Sequence, residues 1–180
     1  MNIWKLKASF DFRLSFGVFK DNLDVYKYIG KGYIDKWRME DISFDSGSKR
    51  DNLKPLKNVS FFSGNRFTFT CDEYTKEKIS SRFNDIQFLP VKPIEKEIAE
   101  KTNYYLVNIL RSIDGLNVEK CEFKKTLGMI ISKIKKYSFK KESLQYPIFN
   151  VVIENKIFNE IYVTDEFKNY VEEVNIEGFE

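Results

Sequence analysis

Two oppositely charged segments in the C-terminal half of the chain hold the residues best suited to bind another molecule. The first is basic and combines lysines with aromatic residues: Lys120, Phe123, Lys124, Lys125, Lys133, Lys135, Lys136, Tyr137, Phe139, Lys140 and Lys141. Such a segment can follow a phosphate backbone while its rings stack on bases. The pattern is more typical of a solvated helix face with inward-pointing aromatics, because it lacks arginine, the usual residue for bidentate phosphate contacts.

The second segment is acidic and closes the chain. It contains one lysine, Lys168, and six acidic residues: Asp165, Glu166, Glu172, Glu173, Glu177 and Glu180. The first two stand at the start of a predicted helix, where negative charge complements the helix dipole. The candidates for contact with a basic protein surface are Glu172, Glu173 and Glu177. A purely solubilising role explains these three equally well, and the sequence leaves both interpretations open.

Catalytic and metal-binding chemistry has few candidate residues. The 180-residue chain contains no histidine, which removes the commonest general base and metal ligand. Two cysteines, Cys71 and Cys121, cannot form a zinc site alone. Asp114 precedes Gly115 and suits a turn whose carboxylate caps nearby amides. We therefore predict no catalytic, metal or cofactor-binding residue, and a carboxylate enzyme centred on Asp114, which needs a second converging carboxylate, ranks last.

The hydrophobic patterns predict two related strand-helix-strand units. In the first, alternating residues 67–71 indicate a strand, Asp72 and Glu73 begin a helix, and residues 86–91 form the next strand. In the second, a strand leads to Thr164, a suitable helix N-cap. An apolar face then follows at helical spacing and is formed by Phe167, Tyr170, Val171 and Val174.

Further strands are predicted at residues 104–110 and 146–153 from β-branched and aromatic enrichment. The spacing of isoleucines in residues 127–137 favours a helix, with a buried strand near Ile130 as the alternative. Together these elements predict an α+β fold, a largely antiparallel sheet with a few packed helices. The length predicts one domain over residues 1–180, with residues 1–62 as a candidate N-terminal subdomain.

A family resemblance covers roughly the C-terminal two thirds of the chain. It rests on the order and spacing of six short segments: Ile86–Val91, Tyr104–Asn108, Ile113–Asn117, Tyr146–Phe149, Val163–Phe167 and Ile176–Phe179. In these the chain resembles the immunity proteins of bacterial polymorphic toxin systems, specifically the family numbered eleven, earlier a domain of unknown function.

The resemblance implies a stoichiometric inhibitor rather than an enzyme. Its partner would be a cognate toxin encoded by an adjacent gene, bound by a preformed surface that blocks the toxin. The alternative is a nucleic-acid-associated domain that uses residues 120–141, although the mixed charge and net charge of +3 argue against a dedicated polyanion binder. No apolar run approaches the ~20 residues of a membrane span, and residues 1–10 lack a secretion signal. We therefore expect a cytoplasmic protein, with the oligomeric state left open.

Overall fold

The computed structural model describes residues 1–7, 9, 16–19, 30–32, 35, 37, 42–45, 58–61, 68–126 and 130–180. These residues form twelve strands, three α-helices and two short 3-10 helices, Val118–Lys120 and Lys141–Gln145. The strands are β1 (Ile3–Lys5), β2 (Phe16–Phe19), β3 (Ile42–Asp45), β4 (Val59–Phe61), β5 (Phe69–Asp72), β6 (Ile86–Pro93), β7 (Tyr104–Ile109), β8 (Ser112–Ile113), β9 (Glu122–Thr126), β10 (Ile130–Lys136), β11 (Ile148–Ile153) and β12 (Lys156–Thr164). The helices are α1 (Glu73–Ser80), α2 (Lys96–Ala99) and α3 (Asp165–Glu173).

The larger sheet has six strands in the order β2-β3-β6-β7-β5-β4. Strand β7 is antiparallel to both of its neighbours, and Val107 lies opposite Phe69 on one side and Phe88 on the other. Strands β5 and β6 therefore run in the same direction and are joined by α1, with β7 inserted between them. The carboxylate of Asp72 accepts a hydrogen bond from the Thr75 amide at 2.8 Å and so starts α1 at the predicted position.

A second sheet, called the smaller sheet below, has four strands in the order β1-β12-β11-β8, and β9 and β10 form a separate antiparallel pair. Strands β11 and β12 form a hairpin whose turn residues, Glu154 and Asn155, have φ of 50° and 61°, as two-residue hairpins require. Strand β12 leads directly into α3. Helices α1 and α3 lie antiparallel, because Tyr74 donates a hydrogen bond to the Val174 carbonyl while Tyr170 donates one to the carbonyl of Lys78.

Residues from both sheets and both long helices share one apolar core. Its fully buried members include Phe69, Ile79, Val107, Ile161 and Phe167. The ring centroids of Phe83 and Phe167 lie 5.1 Å apart, which packs the end of α1 against α3. Burial of these side chains, worth about 1.5–3 kcal/mol each, fixes α3 on the sheets.

The C-terminal segment, residues 176–180, joins the two sheets through its backbone. On one side, Lys7 and Glu180 exchange two hydrogen bonds, of 3.0 and 2.9 Å. On the other side, the amide of Val59 in β4 donates to the Glu177 carbonyl at 3.1 Å. The segment therefore fills the gap between the edge of the smaller sheet and the edge of the larger one.

These elements confirm the predicted α+β fold with largely antiparallel sheets, since β3–β6 and β8–β11 are the parallel pairs among the named strands. The first predicted strand-helix-strand unit is β5-α1-β6. The second has its strand and helix, β12 and α3, but ends in the extended residues 176–180, to which no named strand is assigned. The helix prediction for residues 127–137 is wrong, because β10 occupies Ile130–Lys136. Much of residues 1–62 lies outside the described part, so the single domain and the subdomain boundary stay predictions.

Candidate binding surfaces

The four-stranded sheet separates two surfaces of opposite charge. Side chains alternate along a strand, so Ile161 and Val163 face the core beneath α3, whereas Phe149 and Tyr162 face the antiparallel pair β9–β10. We call that pair the basic ribbon and the last turn of α3 with residue 177 the acidic end. The predicted candidates are thus carried on opposite faces of one sheet.

The acidic end holds all three predicted contact residues. Glu172, Glu173 and Glu177 are exposed, the first two in the last turn of α3 and the third four residues beyond it. Lys168 forms an ion pair with Glu172 at 2.7 Å. No basic residue occupies the last turn of α3. Carboxylates therefore stand at the negative end of the helix dipole, where they lower helix stability.

Beside the acidic end, the outer face of the α1–α3 pair carries aromatic and cationic side chains. Tyr74 is 42% exposed, and its hydroxyl reaches the carbonyl of Val174 at 2.8 Å. The guanidinium of Arg82 lies 4.9 Å from the centroid of the Tyr170 ring and pairs with Glu166 at 3.6 Å. Tyrosine and arginine held in place by such contacts are the residue types enriched at binding hot spots.

The basic ribbon presents lysines on its outward face. Lys124 lies directly opposite Lys133, and Glu122 lies opposite Lys136, one pair further along the same face. The Lys136 and Glu122 side chains approach to 3.9 Å and are both mostly exposed. For Lys124, Lys125, Lys133 and Lys135, the described residues provide no carboxylate partner within 4.0 Å. The ribbon is therefore a lysine surface with little internal neutralisation.

The aromatic side chains of this segment point into the protein. Phe123, Tyr137 and Phe139 pack against the buried cluster that contains Ile134 and Phe149. The rings of Tyr137 and Phe139 are stacked, with centroids 6.1 Å apart and an interplanar angle of 3°. The inward orientation expected of these aromatics is correct, although they lie on or beside a strand pair rather than on a helix.

Asp114 lies on the surface of the protein. Its side chain is 71% exposed and accepts a charge-assisted hydrogen bond from Lys140 at 2.7 Å. Asp114 thus forms an ion pair with Lys140, and not the predicted cap on nearby backbone amides. No cluster of three or more potential metal ligands occurs in the ranges that the structure describes. Burial raises the pKa of the Cys71 thiol well above its usual value, which disfavours thiolate chemistry there.

Two polar networks were not predicted. The first surrounds Glu73 at the start of α1, which accepts hydrogen bonds from Lys76 at 2.7 Å, the Tyr105 hydroxyl at 2.5 Å and Asn103 at 3.0 Å. These donors, chiefly Lys76, lower the pKa of Glu73 from 4.5 to about 2. Lys76 lies three residues further along α1, a spacing that the sequence does show. Asn103 and Tyr105 come from a segment that is distant in sequence, so no local spacing marks these two partners.

This lowered pKa predicts an acid-sensitive contribution to stability. Because the folded state holds the carboxylate ionised, the contribution is present above the ordinary pKa of 4.5 and is lost as the pH falls toward 2. In a Glu73→Gln variant we expect the unfolding free energy to fall less steeply over this range. Urea titrations at pH 2–7 measure the difference, and parallel curves for the two proteins would contradict the assignment.

The second network is buried beneath the basic ribbon. Glu160 in β12 is only 4% exposed and accepts hydrogen bonds from Tyr162 at 2.6 Å and from Tyr137 at 3.0 Å. Lys5 in β1 forms an ion pair with the same carboxylate. Burial, and then the hydrogen bond to Glu160, raise the pKa of Tyr162 far above its usual range. The sequence could have indicated the contact between Glu160 and Tyr162, because two residues that are two apart on a strand share a face.

Among the described residues, every helix is too short or too polar to traverse a bilayer. No protein-family model matches the chain, and a search of curated proteins finds no match.

Proposed function

We propose that the protein is an immunity-type inhibitor that binds a cognate toxin through the acidic end and the adjoining face of α1 and α3. The resemblance described above supplies the class of partner. Inhibition by occlusion requires a preformed surface and no chemistry by the inhibitor itself. To protect a cell from few toxin molecules, the complex needs a Kd of about 1 nM or below, or about 12 kcal/mol of binding free energy.

The observation that carries this proposal is the position of Glu172 and Glu173. Each carboxylate at a helix C-terminus forgoes about 0.3–1 kcal/mol that a cation there would contribute. Lys168 compensates only Glu172, and it precedes its partner, the weaker order for an ion pair four residues apart. Glu173 is exposed and has no ion pair with a described residue. Stability does not explain this charge, whereas a basic partner does.

The adjoining helix face supplies the apolar part of the interface. Exposed carboxylates steer a basic partner and raise the association rate, but they add little affinity at a solvated rim. Tyr74 lies beside them at the end of α3, and Tyr170 and then Arg82 continue the same face toward the start of α3. Hydrogen bonds, the cation–π contact and the ion pair of Arg82 with Glu166 fix this arrangement. Side chains held in this way lose little conformational freedom on binding, which favours affinity.

Glu173→Lys is expected to separate binding from stability. The substitution places a cation at the helix C-terminus and should raise the melting temperature by about 1–4 °C. Toxin association should slow about tenfold at low salt, with a smaller change in dissociation. Calorimetry and surface plasmon resonance measure the two effects. A matched control is Glu100→Lys, which makes the same charge change at an exposed acid after α2; equal slowing in both variants would contradict the proposed surface.

The function itself is tested with the product of the adjacent gene. Co-expression should yield a one-to-one complex and restore growth of cells that make this toxin. The triple charge reversal at Glu172, Glu173 and Glu177 should abolish protection, whereas reversal of three exposed acids elsewhere, Glu100, Glu119 and Glu142, should retain it. Absence of a complex and of growth rescue by the unmodified protein would exclude the proposed function.

A further inference from the structure

We infer that the outward face of the basic ribbon, with Lys124, Lys133 and Lys136, binds the phosphate backbone of double-stranded nucleic acid without sequence preference. This activity goes beyond toxin binding and uses the opposite face of the four-stranded sheet.

The basic ribbon carries more net positive charge than the rest of the chain, and part of this charge disfavours the strand pairing. Residues 122–136 contain five lysines and one glutamate, whereas the whole chain has a net charge of only +3. Lys124 and Lys133 are directly opposite each other in the register, and like charges in that relation destabilise a strand pair. The ribbon thus bears a cost in stability that a bound polyanion would remove.

The inward direction of the aromatic rings selects duplex over single-stranded nucleic acid. Proteins that bind single strands stack bases on exposed aromatic side chains. Here Tyr137 donates to the buried Glu160, and Phe139 packs edge-on against Phe149 with ring centroids 6.2 Å apart. Because both rings pack in the core, neither is available to stack on bases, and the outward face binds chiefly through its lysine ammonium groups, with Glu122 as its one carboxylate among residues 122–126 and 130–136.

The shape and composition of the ribbon agree with backbone binding. A two-stranded antiparallel ribbon fits the major groove of a duplex. The chain has no arginine after Arg111, and arginine is the usual residue for bidentate reading of guanine. Lysines acting as point charges provide affinity through counterion release rather than base recognition. The carboxylates of the acidic end do not lie next to a duplex bound on the ribbon, because α3 packs on the other face of the four-stranded sheet.

The test measures salt-dependent binding of the full chain to a fluorescent 20-base-pair duplex by anisotropy. Three phosphate contacts predict a slope of log affinity against log salt of about −3, with a Kd of about 1–100 μM at physiological salt. The Lys124→Gln/Lys133→Gln variant should bind at least about tenfold more weakly at low salt, with a slope near −1. Its fold should be retained, because the substitution removes a repulsive pair.

A matched control is Lys92→Gln/Lys101→Gln, which removes two exposed lysines elsewhere and should bind as the unmodified protein does. Two duplexes of unrelated sequence should bind equally, and a single strand of the same length more weakly. The inference would be overturned if both double variants weakened duplex binding equally. It would also be overturned by tighter binding to the single strand, or by tighter binding to phosphatidylglycerol vesicles at equal phosphate concentration. The Lys124→Gln/Lys133→Gln variant should still protect cells from the toxin. Toxin inhibition and duplex binding can therefore be disproved separately.

Discussion

Replacing Gly178 with alanine is expected to lower the free energy of unfolding by about 3–5 kcal/mol, from backbone strain and overpacking together. Gly178 has a φ of +115°, in a region that residues with a side chain rarely adopt. A Cβ atom there would lie 2.3 Å from the carbonyl oxygen of Val59. Because this obstacle is backbone, the segment would have to move away from β4 and lose the hydrogen bond between Val59 and Glu177.

Gly32→Ala is the matched control for Gly178→Ala. A Cβ atom on Gly32 meets no atom of the described part of the chain within 4 Å, so the unfolding free energy of Gly32→Ala should change by less than about 0.5 kcal/mol. Urea denaturation followed by tryptophan fluorescence measures both variants. A loss below about 1 kcal/mol for Gly178→Ala would show that residues 176–180 are not a structural link between the sheets.

Local sequence patterns predicted the elements whose side chains keep a regular period. The last helix follows from Phe167 and Val171, four residues apart, both of which are buried beneath α3. Strands β6 and β7 were also found within two residues of their observed ends. In each case one face packs against a core, so the hydrophobic pattern reports the secondary structure directly.

Strand β10 was predicted only as the alternative to a helix, because it contains irregularities. Its register with β9 shifts between Ile131 and Lys133, and again between Ile134 and Lys136. An extra residue between Ile131 and Ile134 lets both side chains point inward at a spacing of three, which imitates a helix. A pattern confined to one strand cannot reveal a bulge, because the bulge is defined by the partner strand.

The caps and networks depend on contacts between residues that are far apart in sequence. Thr164 is the N-cap residue of α3 as predicted, but its side chain makes no capping hydrogen bond. Asp165 instead accepts hydrogen bonds from the amide of Asn2 and the indole of Trp4, both at 2.7 Å. These contacts tie the start of α3 to the N-terminal strand, and only the fold brings the residues together.

Replacing Glu160 with leucine is expected to lower the free energy of unfolding by about 3–5 kcal/mol, the range observed when one partner of a buried ion pair is removed. The carboxylate accepts from Tyr162, which is 1% exposed, and from Tyr137, and it pairs with Lys5. Leucine would leave the Tyr162 hydroxyl without an acceptor in a site that excludes water. The ammonium group of Lys5 would lose the charge that anchors β1 on β12.

A double-mutant cycle with Tyr162→Phe separates this network from simple loss of packing. Alone, Tyr162→Phe removes a hydrogen bond to a charged group, worth about 1.5–3 kcal/mol. In Glu160→Leu/Tyr162→Phe, both the donor and its acceptor are gone, so the combined loss should be smaller than the two single losses added together. Urea denaturation supplies all three values. Strictly additive losses of unfolding free energy would contradict a coupled network. Glu160 would then act on stability through Lys5 alone, and β1 would be the element most weakened by its replacement.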